Sequence, residues 1–528
     1  MRAQDDGQHS GPTNEDHTND TSPVERPVTR RALLAAAGGG AVIGAGLVAG
    51  GLSITQLLNG GSPNAASAAR AATPTPAPKP RPPHRYMSTA VIAPDISVWK
   101  KEGTTPSPGL LFASPRTRGF NGIIFDDDGE PVWIEPNGLN AADLRVQEYQ
   151  GRPVLTYWAG TIIIDGGYGI GAGTILDTSY RPIAQVQAGN GVSTDLHEFR
   201  ITPRGTALLI AYPSAPADLR PVGGPREGWM LGGRVQEVDI ATGEVLLDWD
   251  ATRDIDLSES YQKVAKKGTG SGASPDKPYD PIHLNSVEAD GDSTLLVSAR
   301  HTHAIYAIDR VSGALRWRLG GRKSDFDVPE EARFAWQHDA RRQADGRITL
   351  FDNHKKSGDG ESSALSLLVD ETAGTVTVGH RYTFRNHFGG AMGGTQVLPS
   401  GNVLVGWGLD PALTEFTADG TAIFDADLGG PSYRAYRDPW TATPSAPPDV
   451  AAQPESTGIR VYMSWNGATD VANWQVLTGS SPASLAVVTV VPREGFETSV
   501  TVAPATHVQV QALDASGVVI GTSKIRTV

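Results

Sequence analysis

Apolar residues alternate with polar ones in short runs through most of the chain, as in Val235-Gln-Glu-Val-Asp-Ile240 and Ala304-Ile-Tyr-Ala-Ile308. A period of two marks half-buried strands. From about residue 86 to 437 these runs belong to a recurring unit. One half is a glycine turn followed by a short buried strand, at 151–158, 205–212, 291–298, 346–352 and 401–407. The other half is a hairpin about Asp128-Gly129-Glu130, Thr242-Gly243-Glu244, Ser312-Gly313-Ala314, Ala373-Gly374-Thr375 and Asp419-Gly420-Thr421, with Asp177-Thr178-Ser179-Tyr180 as a weaker sixth copy. Short strands recurring at roughly 50 residues per unit predict a β-propeller, since one four-stranded blade cannot bury its faces alone. Six turns predict six blades. The interval between Tyr212 and Gly291 is longer than the rest and predicts an insertion at 258–277, a polar, Gly-rich stretch. An array of β-sandwiches competes, but its repeats would be longer and would not share one hairpin signature.

After Pro439 the composition shifts: 441–449 reads as a linker, and 450–528 alternates cleanly again. This last part resembles a fibronectin type III or related immunoglobulin-like sandwich, with Trp465 and Trp474 as core aromatics and an adhesive or structural role. The expected fold class is all-β, a six-bladed propeller at 86–440 followed by a small sandwich.

Composition adds export and excludes some partners. The chain is 39% hydrophobic and 20% charged, enough for a sizeable core, and its net charge of -13 without a basic stripe excludes nucleic acid. Sixty-one Gly and 38 Pro suit a fold with many turns. Residues 1–29 are polar and expected to be disordered. Thr29-Arg30-Arg31 then precedes an uncharged run at 32–69, which resembles a twin-arginine export signal with Ala66-Ser67-Ala68 as cleavage site. The alternative is an uncleaved anchor at 33–58, but its many glycines favour the signal. Residues 71–85 form a stiff Pro-rich linker. A secreted or otherwise extracytoplasmic protein is expected. The absence of Cys rules out disulfides and thiolate metal sites.

The chemistry concentrates where apolar runs end: Asp195-Leu196-His197-Glu198-Phe199, Asp280-Pro281-Ile282-His283-Leu284-Asn285-Ser286, Ser298-Ala299-Arg300-His301 and Trp336-Gln337-His338-Asp339. His197, His283 and His338 fall at comparable points of different units, so a propeller brings them together with Arg300 at the channel mouth. Three imidazoles fit a catalytic zinc, but a permanent cation beside a divalent ion is costly, so an anionic substrate group suits the set better. A neutral imidazole is also a competent nucleophile near pH 7. Asp352-Asn353-His354-Lys355-Lys356 reads as a polar turn, with calcium or an anion as alternative ligands. Gly389-Gly390-Ala391-Met392-Gly393-Gly394 reads as the approach to an inner strand, with Thr395 facing the channel.

In order, His197-Glu198-Phe199, His283-Leu284-Asn285-Ser286, Ser298-Ala299-Arg300-His301 and Gln337-His338 resemble the successive motifs of the bacterial arylsulfate sulfotransferases, a six-bladed propeller family, over most of residues 90–440. The resemblance implies a transferase that moves a sulfuryl group from an aryl sulfate to a phenolic acceptor without a nucleotide donor. It also implies His338 as nucleophile, His283 and Arg300 on the sulfuryl oxygens and His197 as acid and base; Asn285 and Thr395 are expected to bind substrate, and no metal or other cofactor is expected. Asp339-Ala340-Arg341 replaces the uncharged, aromatic-containing sequence of the better-known members, which puts the divergence of this branch at the acceptor pocket. The absence of Cys removes the disulfide of some periplasmic relatives. Expected partners are an aryl sulfate donor, a phenolic acceptor, a second copy in a homodimer and cell-surface material at the C-terminal module, with the membrane only if the signal stays uncleaved. The rivals are a non-catalytic extracellular propeller binding a glycan or protein, and a propeller enzyme of another class such as a quinone-dependent dehydrogenase or a lyase.

Overall fold

The computed structural model describes residues 83–117, 121–354 and 360–528, so the export signal, its cleavage site and the linker up to residue 82 lie outside the described residues. Among the described residues every element is a strand or a short 3-10 turn. No helix there is long and apolar enough to cross a membrane.

The strands at 97–438 pair into six four-stranded sets among the described residues. Their innermost strands, taken around the ring, are Ala435–Asp438, Ala141–Tyr149, Thr194–Ile201, Leu284–Asp290, His338–Arg342 and Gly394–Val397. Each packs beside the next and the last beside the first, so the sets surround one axis in the manner of a β-propeller. Blade one is closed by the returning chain: Ala435–Asp438 pairs with Leu110–Ala113. Blade six takes Ser97–Lys100 as a fifth strand.

The second strand of a blade shows why the sequence folds this way. In Thr206–Ala211, Leu208 and Ile210 pack with Leu295 and Val297 of the following blade. Ala207 and Leu209, on the other face, pack with Val154 and Ile175 of the preceding one. Outer strands such as Thr375–Tyr382 alternate between buried and exposed positions instead. Hairpin geometry is set by turn carboxylates: Asp239, Asp309 and Asp370 accept N–H groups of Thr242, Ser312 and Ala373. Gly243, Gly313 and Gly374 follow at φ +76°, +71° and +67°, where glycine avoids the Cβ penalty.

The insertion is larger than the expected 258–277. Ser214–Ala217 pairs with Gly228–Leu231 as an extra hairpin, strapped to the segment before His283 by Trp229 N–H to Gly272 O (2.9 Å) and Leu231 N–H to Tyr279 O (2.8 Å). Its first strand, Ser-Ala-Pro-Ala, lacks the apolar alternation that would reveal it.

The C-terminal residues form two sheets. Asp449–Glu455, Gly458–Ser464 and Glu497–Val502 make one; Ala486–Pro492, Asn473–Gly479, His507–Leu513 and Val519–Thr522 make the other, with Arg526–Thr527 added at its end. Trp465 and Trp474 are both in the core between them. The stretch read as a linker is pinned: Ala442 N–H donates to Thr469 Oγ1 (2.9 Å) and Thr443 N–H to Thr178 O (3.0 Å), just after Trp440, whose Nε1 donates to Tyr180 Oη (3.0 Å). Tyr180 in turn stacks on Trp133 and donates to Gly467 O (2.9 Å).

Candidate active site

His197, His283 and His338 sit in the first part of, or just before, the inner strands of blades three, four and five, which share a direction around the axis and therefore open at one mouth. Arg300 follows the second strand of blade four, and its backbone N–H donates to His283 O at 2.8 Å. The His197 and His283 rings lie 5.0 Å apart, and Arg300, His197 and His283 all act electrostatically on His338. The structure thus brings these four together. His283 and Trp336 hold left-handed backbone, φ +55° and +57°, a costly state for such residues that recurs at functional sites.

Each imidazole has a distinct Nδ1 partner. His197 Nδ1 meets Asp195 Oδ1 in a short contact, and Asp195 is fixed by the N–H groups of His197 (2.8 Å) and Gly169 (2.6 Å). His283 Nδ1 meets Asp280 Oδ2 at 2.5 Å. His338 Nδ1 meets Asn353 Oδ1 at 2.6 Å and Trp336 O at 3.1 Å, while Met392 N–H donates to Nε2 at 3.3 Å. Arg300 lies 4.7 Å from the Trp336 ring and donates to Gly390 O (3.0 Å) and His301 Nε2 (3.1 Å). Tyr212 closes one wall, its ring 5.8 Å from His197 and 5.7 Å from His283. Tyr433 lies 5.4 Å from His197. Gly167, at the tip of the long blade-two hairpin, abuts the edge of His283.

Burial sets the charges. It pushes His338 well below the usual imidazole range, helped by the Arg300 cation and opposed by the Asn353 hydrogen bond. It takes His283 down to about 4 against the attraction of Asp280, and lowers Arg300 to about 10, still cationic at neutral pH. The mouth therefore offers two neutral imidazoles, His283 and His338, beside one cation, a setting for an anion that a nucleophile can attack.

Asp280, His283 and His301 place donor atoms within 4.8 Å of one another, a set that could hold a metal by residue type. Their spacing is that of hydrogen bonds: Asp280 Oδ2 to His283 Nδ1 at 2.5 Å, and His301 Nδ1 to Asp280 O at 2.8 Å. Arg300 Nη1 occupies the remaining nitrogen of His301, and its charge opposes a cation.

Below the histidines the axis is filled by an ion network. Glu198 is fully buried and contacts Arg145 (2.7 Å), Arg341 (2.7 Å) and Arg434 (3.3 Å). Asp143 and Asp339 complete it, at 3.2 Å from Arg145 and 2.7 Å from Arg341. Asp339 and Arg341 thus stand in this network. A bulge between His338 and Arg341, with Asp339 at φ +57°, turns the two side chains inward and down.

Asn285 and Thr395 do not share one place. Asn285 Nδ2 donates to Gln337 O (2.6 Å) and braces the approach to His338. Thr395 faces the channel at the other end of the network: its N–H donates to Asp339 Oδ2 (2.9 Å), and it borders a cavity of about 500 Å³ that none of the four site residues lines. The cause is the loop at 389–393, which reaches the mouth ahead of its strand and leaves Thr395 a layer deeper. That loop supplies site contacts through its backbone, by Gly390 O and Met392 N–H.

Sequence reasoning gave Asp195, Asp280 and Trp336 no separate role and read Asn353 as part of a turn. The signal for the aspartates was present: each lies two or three residues before a site histidine.

Residues 145–429 match the family model described as Arylsulfotransferase (ASST). No curated protein matches the chain. Among solved structures, a protein of unknown function from Bacteroides caccae is 15% identical, with 62% of this chain and 98% of that chain covered and a TM-score of 0.37. One of unknown function from Dyadobacter fermentans is 13% identical (70% and 96% covered, TM-score 0.35), and a catalytically inactive virginiamycin B lyase from Staphylococcus aureus is 9% identical (71% and 97%, TM-score 0.29). At those scores they add nothing to the strand pairing described above.

Proposed function

The chain belongs to the arylsulfotransferase family, and from that premise we propose that it moves a sulfuryl group from an aryl sulfate ester to a phenolic acceptor through a sulfurylated His338, without a nucleotide donor. The observation that carries the reading is the meeting of His338 with Arg300, His197 and His283 at one mouth. In the first half-reaction the Nε2 lone pair of His338 attacks sulfur and the sulfur to aryl-oxygen bond breaks. The electron pair leaves on the aryl oxygen, which takes a proton from His197. In the second, the phenolic oxygen attacks sulfur and returns a proton to His197, and the sulfur to nitrogen bond breaks with its pair going back to Nε2. Arg300 donates to the peripheral oxygens, where charge spreads in the transition state, and His283 stands beside them. A sulfate monoester carries one negative charge, which the one cation balances. Asp195, bonded to His197 Nδ1, stabilises the protonated ring from which the departing aryl oxygen takes its proton and to which the acceptor phenol returns one. The protein acts after export by the twin-arginine route.

The test is release of 4-nitrophenol from 4-nitrophenyl sulfate by purified protein with no nucleotide present. The proposal expects release to accelerate with added phenol and to give parallel double-reciprocal plots. Release indifferent to phenol, or none with several donors, would overturn it.

A further inference from the structure

The three site histidines differ in what holds Nδ1: a carboxylate for His197, a carboxylate for His283, and an amide for His338. Asn353 follows the second strand of blade five, Ile348–Asp352, one position beyond the residue next to Phe351, which pairs with His338. Its Nδ2 donates to Gly389 O at 2.5 Å and to Met392 O at 2.8 Å. Both amide hydrogens are thus committed to carbonyls of the 389–393 loop, and the atom turned to His338 is the oxygen. An amide oxygen only accepts, so the proton between them belongs to His338 Nδ1. The other side of the ring agrees independently. Met392 N–H points at Nε2, and a peptide N–H needs a lone pair there.

We propose that Asn353 is the positioning residue that keeps His338 neutral, with its proton on Nδ1 and its lone pair on Nε2, where the Met392 N–H approaches at 3.3 Å. This rests on the reading of His338 as nucleophile but makes a separate statement about the ring. A carboxylate at this place would stabilise the imidazolium and remove the lone pair. An amide orients the ring equally well without that cost. The charged and titratable groups around His338 are Arg300 from blade four, His197 from blade three and His283 ahead of blade four. Asp339 beside it is committed to Arg341 and Arg434, and Asp352 accepts from Ala335 N–H and meets Arg381. The 389–393 loop adds only backbone. Asn353 is therefore the one group whose exchange for a carboxylate changes what Nδ1 sees while the surroundings stay.

The direct experiment uses the whole wild-type chain labelled with 15N- and 13C-histidine, with the His338 resonances assigned by their loss in His338→Gln. The nitrogen shifts at pH 7 report which nitrogen bears the proton. A neutral ring protonated at Nδ1 is expected; protonation at Nε2, or an imidazolium, would overturn the proposal. Asn353→Asp supplies the second arm. The titration midpoint of His338 should rise by about 1–3 pH units, as for a group given an opposite charge in contact, and the acid limb of kcat/KM should rise with it. An unmoved midpoint in a folded Asn353→Asp protein would refute the role. Should this variant not fold, the wild-type shifts alone decide. A protein with the expected ring state but no sulfuryl transfer would sink the functional reading and leave Asn353's role standing.

Discussion

Replacing Glu198 by Gln removes one charge from the axial network and keeps the side chain's volume, so no cavity confuses the result. As built, three guanidiniums, Arg145, Arg341 and Arg434, face three carboxylates, Glu198, Asp143 and Asp339, and the charges cancel. Burial alone would raise the Glu198 pKa, but the arginines hold it well below the usual carboxylate range. Glu198→Gln leaves one uncompensated positive charge on the axis. Breaking a buried network from one side costs about 3–5 kcal/mol, whereas an exposed pair is worth under about 1 kcal/mol. Equilibrium denaturant unfolding of Glu198→Gln, Arg341→Gln and the double variant provides the cycle. Each single variant should lose about 3–5 kcal/mol and the double less than their sum, because it restores the balance. Losses below about 1 kcal/mol, or strict additivity, would refute the network as a stabilising unit.

Other consequences concern chemistry and pH. Arg300→Lys should lower kcat by about 100–1000-fold, the usual result of losing a transition-state donor; a lysine cannot span His301, Gly390 O and the Trp336 face together, so recovery of activity by Lys would argue against that geometry. His283 has a folded pKa of about 4 against an ordinary 6.5. Below 6.5 the unfolded chain binds the proton first, so stability should fall as pH drops from about 6.5 towards 4, by about 3 kcal/mol from this group. The acid titration of His283→Gln should be flatter over that window, and an equally steep one would contradict it. Tyr180→Ala, which removes the ring between Trp133 and Gly467, should destabilise the protein by about 3–5 kcal/mol; a change below about 1 kcal/mol would mean that the C-terminal sheets are not held through this contact.

The blades were legible because two local rules coincide in them. Short buried runs such as 205–212 serve two cores at once, and five of the six hairpin turns pair a carboxylate with a glycine at positive φ. The site histidines and Arg300 were legible because each stands where an apolar run begins or ends, and the propeller makes such points converge. What escaped depends on contacts distant in the chain. Asn353 reads as a turn until the 389–393 loop lies against it. Thr395 sits a layer too deep because that same loop, not its strand, reaches the mouth. Asp339 and Arg341 read only as a departure from the family sequence until the bulge after His338 turns them into the network around Glu198. The 214–231 hairpin lacks apolar alternation and gave no signal.

The central claim is that His338 carries the sulfuryl group between donor and acceptor. It is tested most directly by peptide mass spectrometry of the protein quenched after brief exposure to 4-nitrophenyl sulfate, with His338→Ala alongside. The account predicts a labile sulfuryl adduct on the His338 peptide that phenol discharges and the variant lacks. Acceptor-stimulated turnover with no adduct, or an adduct on another residue that persists in His338→Ala, would contradict it.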